Sequence, residues 1–205
     1  MKIITTVTLL LFLVAFKVNA QTESKVKYFD INYKEITEKE FKKARQTNTV
    51  LDIVIDSTQN RKLIERQEVG SVDRRKIQMA LEKATNKEID SNEFIVIIYH
   101  PGPDPCNSSG SGDMEIAYSL ITTGVSKVVK ANIAYIYKNL NGEEAVSRTA
   151  RWNDDPDNLI ERTFFKYPYP CGSFAVIDKS GNYISYFGEY PTYYVANAIE
   201  LLKKK

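Results

Sequence analysis

PCGSFAVIDKSGNYISYFGE, residues Pro170–Glu189, contains two β-prone runs around one turn. Phe174 to Asp178 is apolar and β-branched, and Tyr183 to Glu189 is rich in aromatics. Between them, Lys179-Ser180-Gly181-Asn182 has turn composition, with Gly181 available for a left-handed backbone. The pattern predicts an antiparallel hairpin. Upstream, the segment YPYP, Tyr167–Pro170, leads into it. Downstream, Thr192 is the expected N-cap of a final helix whose apolar face comprises Tyr194, Val195, Ala198, Ile199, Leu201 and Leu202. Lys203, Lys204 and Lys205 close that helix, favourably placed against its dipole.

The next strongest signal is FIVIIYHPGPDPCNSSGSGD, Phe94–Asp113. Phe94 to Tyr99 is a continuous apolar run of the kind buried on both faces of a sheet, and it ends at His100-Pro101 in a loop carrying Cys106. Asp113 is a suitable N-cap for a helix with Met114, Ile116, Ala117, Leu120 and Ile121 as its stripe; beyond Gly124 the chain either continues that helix or forms a loop. Asn132 to Lys138 is a further strand, and Asn141-Gly142 predicts a tight return into EEAVSRTARW as an inserted hairpin. Asp155 before Pro156 marks a helix start.

Towards the N-terminus, Thr37 and Glu40 form a capping box, and Ile36 and Phe41 occupy the positions of a hydrophobic staple, for a helix over about 38–46. Val50 to Asp56 alternates as a strand, with Leu51, Ile53 and Ile55 on one face. Ser57 to Gly70 is polar and undecided, and Val72 to Thr85 has helical spacing. The basic run Arg74, Arg75 and Lys76 is expected to be a solvated helix face.

Residues 1–20, MKIITTVTLLLFLVAFKVNA, have an early Lys2, an apolar core shorter than the roughly 20 residues of a membrane span, and Val18-Asn19-Ala20 as a cleavage pattern. This predicts an export signal cleaved near Ala20, a periplasmic or extracellular location, and no membrane span in the mature chain. Removing the segment takes Lys2 and Lys17 from the 28 basic residues and nothing from the 26 acidic ones, so the charges then balance. A nucleic-acid partner therefore has no global electrostatic support. The remaining 185 or so residues fit one domain, 21–205, with a core from about residue 50 and an N-terminal extension over 21–49. Cys106 and Cys171 are the two cysteines. In an oxidising compartment a disulfide between them is the default, with a free or intermolecular thiol as the competing state.

The order of strand, cysteine-bearing loop, helix, strand, helix, Pro-led hairpin and final helix resembles the thioredoxin-like superfamily. Within Pro170–Glu189, Pro170, Ser173, Phe174, Ile177, Asp178, Gly181 and Ile184 match the hairpin pattern of its exported thioredoxin and peroxiredoxin members. The resemblance covers about Phe94 to Lys205, with Leu51 to Thr85 as a source of the first strand and helix. It implies an α/β fold with a thioredoxin-like central mixed β-sheet flanked by helices. It also implies that the Pro170 loop lies against the Cys106 loop, with Pro170 as counterpart of the family's cis-proline. The chain departs from the redox motif. DPCNSSG has Ser109 where C-x-x-C places the second cysteine, and the peroxiredoxin cysteine pattern is absent.

The expectation is accordingly a module with no catalytic residue, no cofactor and no metal, binding a protein, peptide or glycan of the cell envelope. Tyr99, His100, Tyr167 and Tyr169 are the candidate binding residues, drawn from the strand end and from a segment with seven tyrosines between Tyr167 and Tyr194. The alternative is a thiol-disulfide oxidoreductase using Cys106, Cys171 and Pro170. Other chemistries have weaker signatures. His100, Asp104 and Ser108 share a loop, but nothing places base and nucleophile in reach. Asp154, Asp155 and Asp157 lack EF-hand spacing, and no second histidine accompanies His100. Asp52 and Asp56 lie about 13 Å apart along a strand. Gly110 and Gly112 lack the rest of a phosphate loop. Asn107 to Ser109 is a glycosylation triplet only in a glycosylating host.

Overall fold

The computed structural model describes residues 25–102, 114–138, 150–167, 169 and 172–204. The expected export signal, Cys106, Cys171, Pro170, Asp104, Ser108 and the expected Asn141-Gly142 turn lie outside the described residues.

The C-terminal hairpin forms from β9 (Ser173–Ile177) and β10 (Asn182–Tyr186), antiparallel, with Ile177 opposite Tyr183 and Phe174 opposite Tyr186. Its turn is held by the Asp178 carboxylate, which accepts from the backbone N–H of Ser180 (2.8 Å) and of Asn182 (2.9 Å). Gly181 takes the left-handed position, φ 87°. Beside β9 runs β6 (Phe94–His100), antiparallel to β9 and parallel to β7 (Ala131–Tyr137). Between β6 and β7 the chain crosses over through helix α3 (Met114–Val128), which runs unbroken through Gly124. After β7 come β8 (Trp152–Asp154), a 3₁₀ turn at Pro156–Asn158 and helix α4 (Leu159–Phe164). Following β10 comes the last helix, α5 (Tyr193–Lys203). The strand order β10-β9-β6-β7, with β6 parallel to β7 and antiparallel to β9 and with a terminal hairpin and helix, is a thioredoxin-like arrangement.

Both faces of the central strand are dry, as its unbroken apolar run requires. Val96 and Ile98 pack with Tyr118, Ile121, Val125, Val195 and Ile199 beneath α3 and α5. Ile95, Ile97 and Tyr99 point to the opposite face, where Ile160, Phe164 and Phe165 meet helix α2 (Arg74–Thr85) through Ile77 and Leu81.

The N-terminal part builds a second sheet. Strands β1 (Tyr28–Phe29), β2 (Glu35–Ile36), β3 (Val50–Val54) and β4 (Arg61–Glu65) lie in the order β2-β1-β4-β3. Helix α1 (Glu38–Arg45) opens with the expected Thr37–Glu40 capping box, and Phe41 is buried against Tyr28 at 4.8 Å. One residue past β4 the chain enters β5 (Gln67–Ser71), which pairs with β10 in the main sheet. Arg66 is the corner where the chain passes from one sheet to the other. Its N–H donates to the Thr49 carbonyl (3.0 Å) and its carbonyl accepts from Phe187 (2.7 Å).

Several expectations are corrected. β3 belongs to the small sheet, so the strand that this region contributes to the main sheet is β5. The polar stretch from Ser57 to Gly70 holds two strands, because its buried charges are carried by polar and aromatic partners: Lys62 lies 4.2 Å from the Tyr33 ring centre, and Arg66 is held by carbonyls. β8 pairs with β7 in parallel, Tyr135 opposite Trp152, while the expected hairpin return over 143–152 lies mostly outside the described residues. On α3 the buried stripe is Tyr118, Ile121 and Val125, whereas Ile116 and Leu120 are 57% and 55% exposed. Thr192 precedes α5 without a side-chain capping bond, and Leu201 is exposed. Arg74 is buried, donating to the carbonyls of Asp90 (3.0 Å) and Glu93 (2.8 Å). Asp52 is paired with Arg45 and Arg61, each at 2.6 Å, and Asp56 organises a turn by accepting from Thr58 and Asn60.

Candidate functional site

The C-terminal end of β6 divides two cavities, one on each face of the sheet. This follows from strand alternation: Tyr99 and His100 are successive residues, so their side chains leave on opposite sides.

On the α3/α5 side, the His100 ring stacks on Tyr137 (5.2 Å between centres, 13° between planes). Trp152, the single tryptophan of the chain, stands edge-on to His100 (6.0 Å), Tyr118 (5.7 Å), Tyr135 (5.5 Å) and Tyr137 (5.8 Å). The parallel pairing of β8 with β7 delivers Trp152 there. Tyr118, from α3, and Tyr190 and Thr192, from the approach to α5, complete the walls of a cavity of about 530 Å³. Burial raises the phenols of Tyr118, Tyr135 and Tyr190 above the ordinary tyrosine range, so all three stay neutral donors. The His100 Nδ1 accepts from the Gly102 N–H at 3.4 Å.

The floor of this cavity reaches Arg66. Its Nε donates to the Phe187 carbonyl (3.2 Å), and its terminal nitrogens donate to the Asn48 side chain and the Glu189 carbonyl. Its guanidinium also lies over the Tyr186 ring at 4.9 Å. An adjoining cavity of about 620 Å³, between β4, β5 and α5, shares Asn48 and Arg66.

The opposite face holds a smaller cavity of about 200 Å³. Tyr99 stacks on Phe165 at 4.7 Å, and Tyr169 and Tyr167 lie against Phe187 at 5.5 and 6.2 Å. The left-handed Gly188 (φ 78°) makes room for Tyr169, since a Cβ there would stand 2.8 Å from its ring. Lys138 and Glu161 form an ion pair of 2.7 Å at the rim. The Tyr99 hydroxyl is buried and has no hydrogen-bond partner among the described residues. Burial raises its pKa, with the negative charges of Glu161 and Asp155 adding to the effect.

Of the four residues singled out from sequence, the structure gathers Tyr99, Tyr167 and Tyr169 around the small cavity and puts His100 in the large one, which Tyr99 also borders. Trp152, Tyr118, Tyr190 and Arg66 were not anticipated. A lone tryptophan three residues before a helix-starting Asp-Pro was the one available signal. Asp155 is buried and accepts from the N–H groups of Ile160 (2.9 Å) and Glu161 (2.8 Å), which gives it a capping role. Among the described residues no three His, Cys, Asp or Glu side chains are grouped to hold a metal ion, and no helix is long and apolar enough to cross a membrane.

No protein-family model matches the chain, and no curated protein does. One solved structure that is similar over part of the chain is the pneumococcal exposed lipoprotein thioredoxin (Etrx1) from Streptococcus pneumoniae strain TIGR4. It is 13% identical, with a TM-score of 0.38, over 56% of this chain and 87% of that one. The strand order and connections given above, not this distant match, define the fold.

Proposed function

We propose that this is an exported binding module built on a thioredoxin-like sheet, without a dithiol centre, whose ligand is a peptide segment or glycan of the cell envelope. The observation that carries this is the convergence of His100, Tyr118, Trp152 and Tyr190 on one cavity at the end of the central strand. Rings with polar tips suit a ligand that is part apolar and part hydrogen-bonding. The absence of a second cysteine in DPCNSSG supports binding over dithiol exchange.

Trp152 makes the test direct. Envelope peptides and oligosaccharides titrated against the mature protein should saturably shift or quench its emission, and Tyr118→Ala should weaken that response about tenfold. If no ligand of either class changes the emission, the proposal fails.

A second function, thiol-disulfide exchange by Cys106 and Cys171, is favoured by one contact. Gly172 lies against the end of β6, where a Cβ would be 3.6 Å from the Tyr99 carbonyl and 3.8 Å from the His100 ring. Thiol titration of the unfolded protein before and after mild reduction, with an insulin-reduction assay, separates the two functions. A readily reduced disulfide with catalysed insulin reduction would favour the oxidoreductase.

A further inference from the structure

We infer that the large cavity at the end of β6 takes a carboxylate of its ligand, held between Arg66 and the N-terminus of α5. This rests on the binding function proposed above and names the chemistry that the site reads.

Arg66 supplies the first observation. It is 7% exposed and borders both of the larger cavities. Its partners are the Phe187 carbonyl, the Asn48 side chain and the Glu189 carbonyl, all of them neutral. No carboxylate pairs with it among the described residues, whereas Arg45 and Arg61 share Asp52 at 2.6 Å. A buried cation without a counter-ion bears the cost of leaving water, and neutral acceptors offset only part of it. Those three bonds also leave two of the five N–H donors of a guanidinium for a ligand.

The second observation is independent of the first. Pro191 and Thr192 line the same cavity and lead into α5, a helix of 11 residues. Thr192 makes no side-chain cap, and the first turn of α5 holds no acidic residue. By contrast, α1 opens on the Thr37–Glu40 capping box and α2 on the Asp73 carboxylate. The partial positive charge at the start of α5 is therefore answered by no anion of its own helix, and it borders a cavity that also reaches a guanidinium.

Charge decides the class of anion. Among the described residues no lysine lines this cavity, and Glu189 adds a carboxylate at its exposed rim. One guanidinium and one helix terminus beside that carboxylate suit a single negative charge; a phosphate dianion would meet Glu189 with too few cations to offset it. The rings of Tyr118, Trp152 and Tyr190 make the remaining walls, so the matching ligand joins one carboxylate to a flat or apolar group. A free peptide C-terminus and a uronic acid both have that chemistry.

The test compares acids with their neutral twins through Trp152 emission of the mature protein. The pairs are N-acetyl-alanyl-phenylalanine with its C-terminal amide, and methyl glucuronoside with methyl glucoside; inorganic phosphate is the doubly charged competitor. At least one acid should bind about tenfold more tightly than its twin, the first pair reporting a peptide end and the second an acidic sugar. Phosphate should not displace it. Thr192→Asp sets a carboxylate at the helix terminus, and it should weaken the acid about tenfold without weakening the neutral twin or lowering the melting temperature. Glu189→Gln removes the rim carboxylate and should strengthen the acid about threefold. Both variants leave Arg66 and its bonds in place. Equal affinity within both pairs, displacement by phosphate, or an acid indifferent to Thr192→Asp would overturn the carboxylate assignment and leave the binding function standing. No response to any of these compounds would also overturn it, and silence across the wider set of envelope peptides and oligosaccharides would remove the binding function as well.

Discussion

Replacing Arg66 by alanine removes a guanidinium that serves two sheets at once. Its Nε bond to the Phe187 carbonyl is buried, and no other side chain bond to that oxygen is seen among the described residues. Leaving a buried carbonyl unsatisfied costs about 1–3 kcal/mol. Asn48 and Glu189 are exposed, so their oxygens recover water and together lose about 1 kcal/mol. The cation over Tyr186 contributes about 0.5–1 kcal/mol more. The sum is about 2.5–5 kcal/mol, equivalent to a fall in melting temperature of about 5–20 °C for a chain of this length. Urea unfolding followed by far-UV circular dichroism measures it directly, with an unchanged slope expected. Arg66→Lys keeps the charge and the stem but cannot reach three acceptors, and it should lose about half as much. If Arg66→Ala unfolds within about 1 kcal/mol of the parent, the corner does not depend on this side chain and the reasoning is refuted.

Two further perturbations address the hairpin and the α4 cap. Gly181→Ala places a Cβ 2.4 Å from the Val72 carbonyl at a φ of 87°, so urea unfolding should show a loss of at least about 2 kcal/mol, and a loss under about 1 kcal/mol would contradict the geometry. Asp155 has its pKa raised from 3.8 by burial, against the opposing N–H bonds from Glu161 and Ile160. As pH rises from 3.8 the unfolded chain ionises first, so this group should lower stability through the window up to its raised pKa, by at most about 1.4 kcal/mol per pH unit, and then level off. The stability of the parent minus that of Asp155→Asn should therefore fall across that window; a difference that rises would mean that the two N–H bonds outweigh burial.

Much of the main sheet was legible because its signals are local. Gly181 and the Asp178–Asn182 turn fix the terminal hairpin within four residues, and the run from Ile95 to Ile98 identifies a strand dry on both faces. The stretch from Ser57 to Gly70 was not legible, since Lys62 and Arg66 look like solvated loop residues until Tyr33 and the Phe187 carbonyl are known to be beside them. The α3 stripe was misphased because Tyr118 is a core residue with a polar tip, while Ile116 and Leu120 face outward. β8 comes back parallel to β7, a long-range pairing that places Trp152 beside His100. The candidate site was legible only as a strand end. Its walls come from α3, β8 and the approach to α5, segments that topology brings together and no local pattern connects.

The passage of the chain through Arg66 also bears on solubility. Without β5, the outer side of β10 would offer open backbone groups flanked by Ile184 and Tyr186, a template for pairing with another chain. Instead the sheet ends there on Gln67, Glu68 and Ser71, largely exposed and polar, with Glu68 bonded to Lys166 and to the Tyr183 hydroxyl. At its other margin the last strand among the described residues is β8, three residues long. A chain begun after Ser71 would keep most of the thioredoxin-like core and lose this cover, so strand exchange between copies is its expected fate. The N-terminal region thereby covers a backbone edge that would otherwise stand open to pairing.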